Sequence, residues 1–334
     1  MFIASLAHLV ILCFLLMTVF VIIRMRDLLA TTMLMGIYGL LSASFFVLMD
    51  AVDVALTEAA VGIGISTILL LTTISLTNRY EKKRHNNHWL ALLVILCTGS
   101  LLIYGTFDMP PFGSAQTPAQ THVASHYISE SFRETGVFNL VSSVLASYRG
   151  YDTMGELIVI FTAGIGVVSI LSAGHSGVKQ PHKKRRVILP MTRHHILRIV
   201  AKMLIPFVMI FALYIQFHGD FGPGGGFQAG AIFATALILY TMIFGLENAL
   251  AVFSKKWLAG FAALGVLIYA GSGVISLFSA LNFLDYHALS SDPITGQHIG
   301  IMAVELGVGI TVASVIFLIF LSFTEQLNDQ RDNS

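Results

Sequence analysis

The chain has 334 residues, of which 56% are hydrophobic and 11% charged, and its formal net charge is +1. Soluble domains carry roughly 25% charged residues, so the composition excludes an ordinary soluble protein, and the small net charge excludes a global field that would attract nucleic acid. Cys13 and Cys97 lie far apart inside apolar segments, without CxxC or Cys/His ligand spacing, which excludes a disulfide framework, a zinc site and an iron–sulfur motif.

What remains is an all-α, polytopic membrane protein. A hydrocarbon core of about 30 Å takes roughly 20 apolar residues per helix. Runs of that order predict nine spans: Ser5 to Ile23, Leu28 to Met49, Ala55 to Leu76, Trp89 to Tyr104, Met154 to Leu171, Ile196 to Phe217, Phe227 to Leu246, Trp257 to Phe278 and Ile299 to Phe320. The first run has no basic n-region and no small-residue cleavage site before Arg24, so it is expected to be a retained span rather than a signal peptide. Basic residues follow alternate spans: Arg24 and Arg26; Arg79, Lys82, Lys83 and Arg84; Lys179, Lys183, Lys184, Arg185, Arg186 and Arg193; Lys255 and Lys256. That asymmetry predicts an N-terminus outside and a cytoplasmic tail, TEQLNDQRDNS.

Between spans, Thr106 to Gly136 is rich in Pro, Ser, Thr and His and is expected to be an ordered or semi-ordered outer loop. Val137 to Ser147 has apolar residues at helical spacing and predicts a short amphipathic helix lying in the interface. A basic linker from Gly174 to Arg193 marks a second boundary. The predicted modules are therefore 1–85 with three spans, 86–188 with two spans and the outer loop, and 189–334 with four spans.

Spans six and seven are joined by HGDFGPGGGFQAGAI, His218 to Ile232. Gly219, Gly222, Pro223, Gly224, Gly225 and Gly226 cannot sustain a regular helix, because proline lacks the donor and glycine loses most backbone entropy. A flexible hairpin would satisfy that composition. His218, Asp220 and Gln228 add ionisable and amide groups that a plain hairpin does not need.

Each charge inside a span costs at least about 2.5–3.5 kcal/mol, so each is a candidate for function. Asp53 and Glu58 sit at the start of span three, Asp152 and Glu156 at the start of span five, Glu305 inside span nine and Lys202 inside span six. Asp53 and Asp152 read equally as helix N-caps, Glu58 and Glu156 as protonated acids bonded to a neighbouring helix, Lys202 as a snorkelling side chain, and Glu305 as a packing residue between Gly300 and Gly307. Placed in the predicted topology, Glu58, Glu156 and Glu305 share the outer half of the membrane with His218 and Asp220, while Lys202 lies in the inner half. The expectation is that carboxylates from all three modules converge on one passage for a proton or cation. Gly62 and Gly64 after Glu58, and Gly164 and Gly166 after Glu156, read either as close helix packing or as local π-helical breaks. His122 and His126 could hold a metal only in a helix with a third ligand, so no metal site is expected. No Walker motif, dinucleotide fingerprint, nucleophile elbow or haem motif is present, and neither a cofactor nor an enzymatic activity is expected.

Three motifs carry a resemblance to a known family. DVALTEAAVG, Asp53 to Gly62, with Asp27 ahead of it, resembles the C-terminal part of the large A-type component of multisubunit Na+/H+ antiporters of the Mrp or Mnh type, and the small MbhD-like component of membrane-bound hydrogenases. YRGYDTMGE, Tyr148 to Glu156, is similar to the MbhE-like segment that follows it in those proteins. PGGGFQ, with His218 and Asp220, resembles the B-type (MnhB) component, the likeness running from Leu189 to Leu321. The resemblance implies one component of a prokaryotic inner-membrane assembly that exchanges Na+ for protons, with other antiporter subunits and lipid as its partners and no nucleic acid. It implies Glu58 and Glu156 in the ion pathway. The large proton-pumping domain of a full A-type component does not precede these motifs, so partner subunits are expected to supply it. A membrane subunit of an ion-pumping oxidoreductase, or a structural scaffold, are the alternatives.

Overall fold

The computed structural model describes residues 2–82, 88–111, 114–173 and 195–332. The basic linker from Gly174 to Arg193, and the expected module boundaries near 85 and 188, lie outside the described residues. Thirteen helices follow in order among those described: α1 Phe2–Arg24, α2 Leu28–Leu48, α3 Val52–Thr57, α4 Ser66–Leu76, α5 His88–Thr106, α6 Ser125–Thr135, α7 Leu140–Ser143, α8 Gly150–Ala173, α9 His195–His218, α10 Gly226–Phe244, α11 Leu246–Val252, α12 Lys255–Phe278 and α13 Pro293–Asp332. π-Helical turns at Glu58–Ile65, Ala119–Ala124 and Val144–Tyr148 run directly into their neighbours. Nine helices among the described residues are long and apolar enough to cross a membrane, with α3, its π turn and α4 forming the single span Val52–Leu76.

The helix ends are set by local chemistry. Asp27 caps α2, accepting from Leu29 N at 3.0 Å, and takes hydrogen bonds from the Arg79 guanidinium, at 3.1 Å from Nε to each carboxylate oxygen and 2.7 Å from Nη2. That guanidinium holds the Asp27 carboxyl below its usual range. The start of the second span is thereby tied to the end of the third. Across the middle of the bundle, α13 runs for 40 residues, about 60 Å at 1.5 Å per residue, twice the thickness of a hydrocarbon core.

α13 is also the core. Val304, Val308, Val312, Val315, Phe317 and Leu321 are buried along it, against α8, α10 and α12. Small residues let backbones approach where lipid supplies no hydrophobic drive between helices. A methyl group on Gly230 would lie 2.7 Å from Gly309 O, one on Gly307 2.7 Å from Gly265 O, and one on Gly164 2.8 Å from Val315 Cγ1. Thr311 Oγ1 adds a hydrogen bond to Ala262 O at 3.0 Å. Gly164 is therefore a packing residue, whereas the glycines after Glu58 lie in a π-helical segment, so the two readings divide between the two sites.

The outer stretches are ordered in detail. The outer segment is partly helical: Ala119–Ala124 and α6 form one run, ended by Gly136 at φ 73°, and Tyr148 donates a short hydrogen bond to Glu134 across it. Burial and that carboxylate push the Tyr148 hydroxyl pKa up. His126 meets Glu134 at 3.5 Å, and no group of three metal-ligating side chains exists among the described residues. Val137 to Ser147 contains the expected short helical run, α7 and the π turn that continues it, with Phe138, Leu140, Val141 and Leu145 exposed. On its other face Val137, Ser142, Ser143 and Ala146 are buried, where the segment packs against α6, the glycine turn and α13.

Candidate functional site

The glycine-rich turn after α9 is the point where three stretches of the chain meet. Every backbone polar group pointed into a dry junction needs a partner, and here the partners come from other elements. Asn139 Nδ2 lies 2.9 Å from Gly219 O, 2.8 Å from Gly222 O and 3.3 Å from Asp53 Oδ1. Its Oδ1 accepts from Val141 N at 3.0 Å and caps α7. Asp53 Oδ1 also accepts from Gly224 N at 3.1 Å, Ser142 donates to Gly219 O at 2.7 Å, and Gln228 Nε2 donates to Thr57 Oγ1 at 2.8 Å. Asp53 is thus not the cap of its own helix, whose N-cap Ala51 makes no side-chain bond.

Glu305 rests on the inner surface of this turn. A methyl group on Gly219 would lie 3.2 Å from Glu305 Oε2, and one on Gly225 3.5 Å from Oε1, so glycine at both places lets backbone approach the carboxylate. Ser142 and Asp53 line the same cavity as that carboxylate. Glu305, Asp53 and Glu156 line one cavity of about 310 Å³, with Thr57, Ser142, Thr153, Gln228 and Tyr269 as further polar walls. Glu156 stands at its mouth on the exposed flank of α8. The Tyr269 hydroxyl closes the far side, donating to Gly150 O at 2.7 Å, and Tyr286 donates to Ala146 O at 2.9 Å.

Glu58 does not join them. Five residues after Asp53 at 3.6 per turn place it about 140° round the helix, facing α2. Its carboxylate fills a notch between Gly62 and Gly39: methyl groups there would lie 2.5 Å and 3.3 Å from Oε1. A second cavity of about 310 Å³ holds it, with Tyr38, Ser66 and Thr67.

The other candidates spread out. Asp152 pairs with Arg149 at 2.7 Å on the exposed start of α8, away from the cavity. Lys202 places its ammonium 5.7 Å from the ring centre of Phe244, at the opposite end of α10 from the glycine turn. His218 stacks on Tyr214 at 4.8 Å, and Pro223 is half-buried in the turn. Gly226 and Gln228 open α10, with Gly226 pressed on the backbone of Glu305. Asn139, Ser142, Thr57 and Tyr269 were not legible as site residues, since neutral side chains in apolar or loop sequence carry no charge signal. Asn139 left one trace: an Asn just ahead of an apolar helical run is a capping signature.

Gly225 has φ 121° and ψ 174°, a region that side chains occupy only under strain of about 1–3 kcal/mol. Gly225→Ala is expected to destabilise the protein by about that amount, with little steric clash, since the new methyl meets Gln228 Oε1 at 3.4 Å. Gly155→Ala, with no atom within 4 Å of the added methyl, is the matched control. Thermal unfolding in detergent compares them, and equal midpoints would refute the strain.

Nine helices of membrane-spanning length and apolarity among the described residues, with a carboxylate-lined cavity between several of them, define a polytopic membrane protein that keeps ionisable groups among its helices. Residues 196–318 match the family described as "Domain related to MnhB subunit of Na+/H+ antiporter". Residues 13–79 match MbhD and residues 92–185 match MbhE, each described as one of the subunits of MBH. A Staphylococcus aureus (strain Newman) protein, named as antiporter subunit mnhB2, is 32% identical over 132 residues, 39% of this chain and 93% of its own length. A Rhizobium meliloti (strain 1021) protein, named as a probable A/B subunit of a K+/H+ antiporter, is 26% identical over 330 residues, 89% of this chain and 32% of its own length. The solved Mrp complex of Dietzia sp. DQ12-45-1b contains a chain with the same fold, at TM-score 0.72 and 22% identity, covering 94% of this chain and 34% of that one. The chain belongs to the Mrp/Mnh family of cation/proton antiporter subunits. It spans about a third of the length of the Rhizobium relative.

Proposed function

We propose that this chain is a subunit of an Mrp-type cation/proton antiporter complex in a prokaryotic inner membrane, where it forms part of the transmembrane proton and cation path. The observation that carries the reading is the cavity in which Asp53, Glu156 and Glu305 meet, each from a different stretch of the chain. Carboxylates gathered at membrane depth cost several kcal/mol unless they bind or pass a cation. Glu156, exposed on α8 in this chain, needs a further antiporter component to cover it, which fits an assembly of several subunits. The transported cation is of the Na+ or K+ class, the two named for the relatives. The basic residues after alternate spans support an N-terminus outside and the glycine turn on the outer face. The division at about 85 and 188 follows the three motif-bearing stretches. Chemistry of its own is not part of this role.

In vesicles carrying the complete native assembly, Glu156→Gln is expected to abolish Na+- or K+-driven proton movement while the chain stays in the complex. Glu58→Gln tests the second cavity in the same assay and is expected to reduce exchange as well. Full exchange in both variants would make the chain a scaffold. The matches to MbhD and MbhE favour one second reading, a membrane component of an ion-pumping oxidoreductase. Redox-driven proton movement, without a cation gradient, would select it.

A further inference from the structure

Glu305 lies inside the bundle, and a proton that reaches it from the glycine-turn side needs a carrier. His298 stands seven residues earlier on α13, about 20° away around the axis, so both side chains share a face. The His298 side chain is 40% exposed, yet its Nδ1 is buried, lacks a hydrogen bond among the described residues, and sits 3.4 Å from Asp220 Oδ2. Asp220 is buried, with its side chain only 10% exposed, and its backbone oxygen accepts from Asn139 N at 3.0 Å. The residue before it, Gly219, is packed on the Glu305 carboxylate. A buried ring nitrogen facing a buried carboxylate, with surface on one side and, next to Gly219, the Glu305 carboxylate on the other, is an arrangement that packing alone does not call for.

The groups on neighbouring elements are engaged elsewhere. Asp285 pairs with His287 at 2.9 Å, and His287 also contacts Gln297 at 3.3 Å. Glu134 pairs with His126 and Tyr148, and His218 stacks on Tyr214. Asp220 is the carboxylate in ion-pair contact with His298 among the described residues.

We propose that His298 and Asp220 form a proton inlet that connects the surface on the glycine-turn side to Glu305. An imidazolium at His298 gives its Nδ1 proton to the Asp220 carboxylate, leaving a neutral imidazole and a carboxylic acid. The acid then passes the proton to the Glu305 carboxylate and returns to its ionised form, and water at the exposed ring edge reloads His298. Burial raises the Asp220 carboxyl above its usual range, opposed by His298, which suits a group that must hold the proton briefly. The inlet rests on the antiporter reading above.

The test uses the complete assembly in vesicles, with imidazole as a small diffusible proton carrier. His298→Ala is expected to slow cation-driven proton movement by on the order of 100-fold, and added imidazole is expected to restore it in proportion to its concentration. His298→Gln, which keeps the bulk of the ring without titrating, is expected to be equally slow. Asp220→Asn is expected to be slow with or without imidazole. Unchanged exchange in His298→Ala or His298→Gln, or a loss in the alanine variant that imidazole does not restore while the chain stays in the complex, overturns the inlet. Absence of exchange in the parent assembly would instead refute the antiporter reading, so the two failures are distinguishable.

Discussion

Glu305→Gln is expected to leave the chain in its complex and to slow cation-coupled proton movement by on the order of 100-fold or more, the contribution of a positioned proton carrier. The amide matches the carboxylate in size, so the close contacts with Gly219 and Gly225, and the backbone of Gly226 against α13, are retained. Only the ability to exchange a proton or hold a cation disappears. Glu305→Asp separates the two roles of the side chain. It keeps the charge but withdraws the carboxylate by one methylene, about 1.5 Å, from the glycine turn, and is expected to retain partial exchange. Vesicle transport with Na+ and K+ gradients, normalised to the amount of assembled complex, reads both. Parental exchange in Glu305→Gln would remove the cavity from the ion path and leave Glu305 as a packing residue.

The second large effect is structural. Asn139→Leu deletes the donor shared by Gly219 O, Gly222 O and Asp53 Oδ1, and the acceptor that caps α7. Gly219 O keeps Ser142 and Asp53 keeps Gly224 N, but Gly222 O and Val141 N lose the partner that Asn139 supplied. Each buried polar group left unpaired costs about 1–3 kcal/mol, and a lost cap about 1 kcal/mol. The variant is therefore expected to lose several kcal/mol and to loosen the junction of the three stretches, seen as a lower unfolding midpoint and faster proteolysis. Asn139→Asp keeps the cap but loses the donor and sets a carboxylate against Asp53, a like-charge contact. It is expected to unfold earlier than the parent as well and to impair exchange. An Asn139→Leu protein with the parental midpoint would show that the turn stands without this side chain.

The membrane character and all nine spans were legible in the sequence, because a 30 Å hydrocarbon layer demands long apolar runs. The candidate acids were legible for the same reason: a charge is conspicuous against apolar neighbours, and a string of glycines announces irregular backbone. Their grouping was not. Asp53 and Glu58 fall in one short motif, yet they occupy separate cavities, because five helical residues turn the chain by about 140° and different helices cover the two faces. The segment from Val137 to Ser147 has helical spacing that suits an interface and leaves Phe138, Leu140, Val141 and Leu145 exposed; that its other face is buried against the glycine turn, whose carbonyls take the amide of Asn139 and the hydroxyl of Ser142, was not legible.

The sequence by itself determined which helices are long and apolar enough to cross a membrane and which of their residues are conspicuously polar, since burial of apolar area and the cost of charge act residue by residue. Only the tertiary structure decided which of those residues meet. Contacts of Asp53 with Asn139 and Gly224, and of Glu305 with Gly219 and Gly225, join positions far apart in the chain, through hydrogen bonds and glycine-sized gaps that composition and periodicity do not encode.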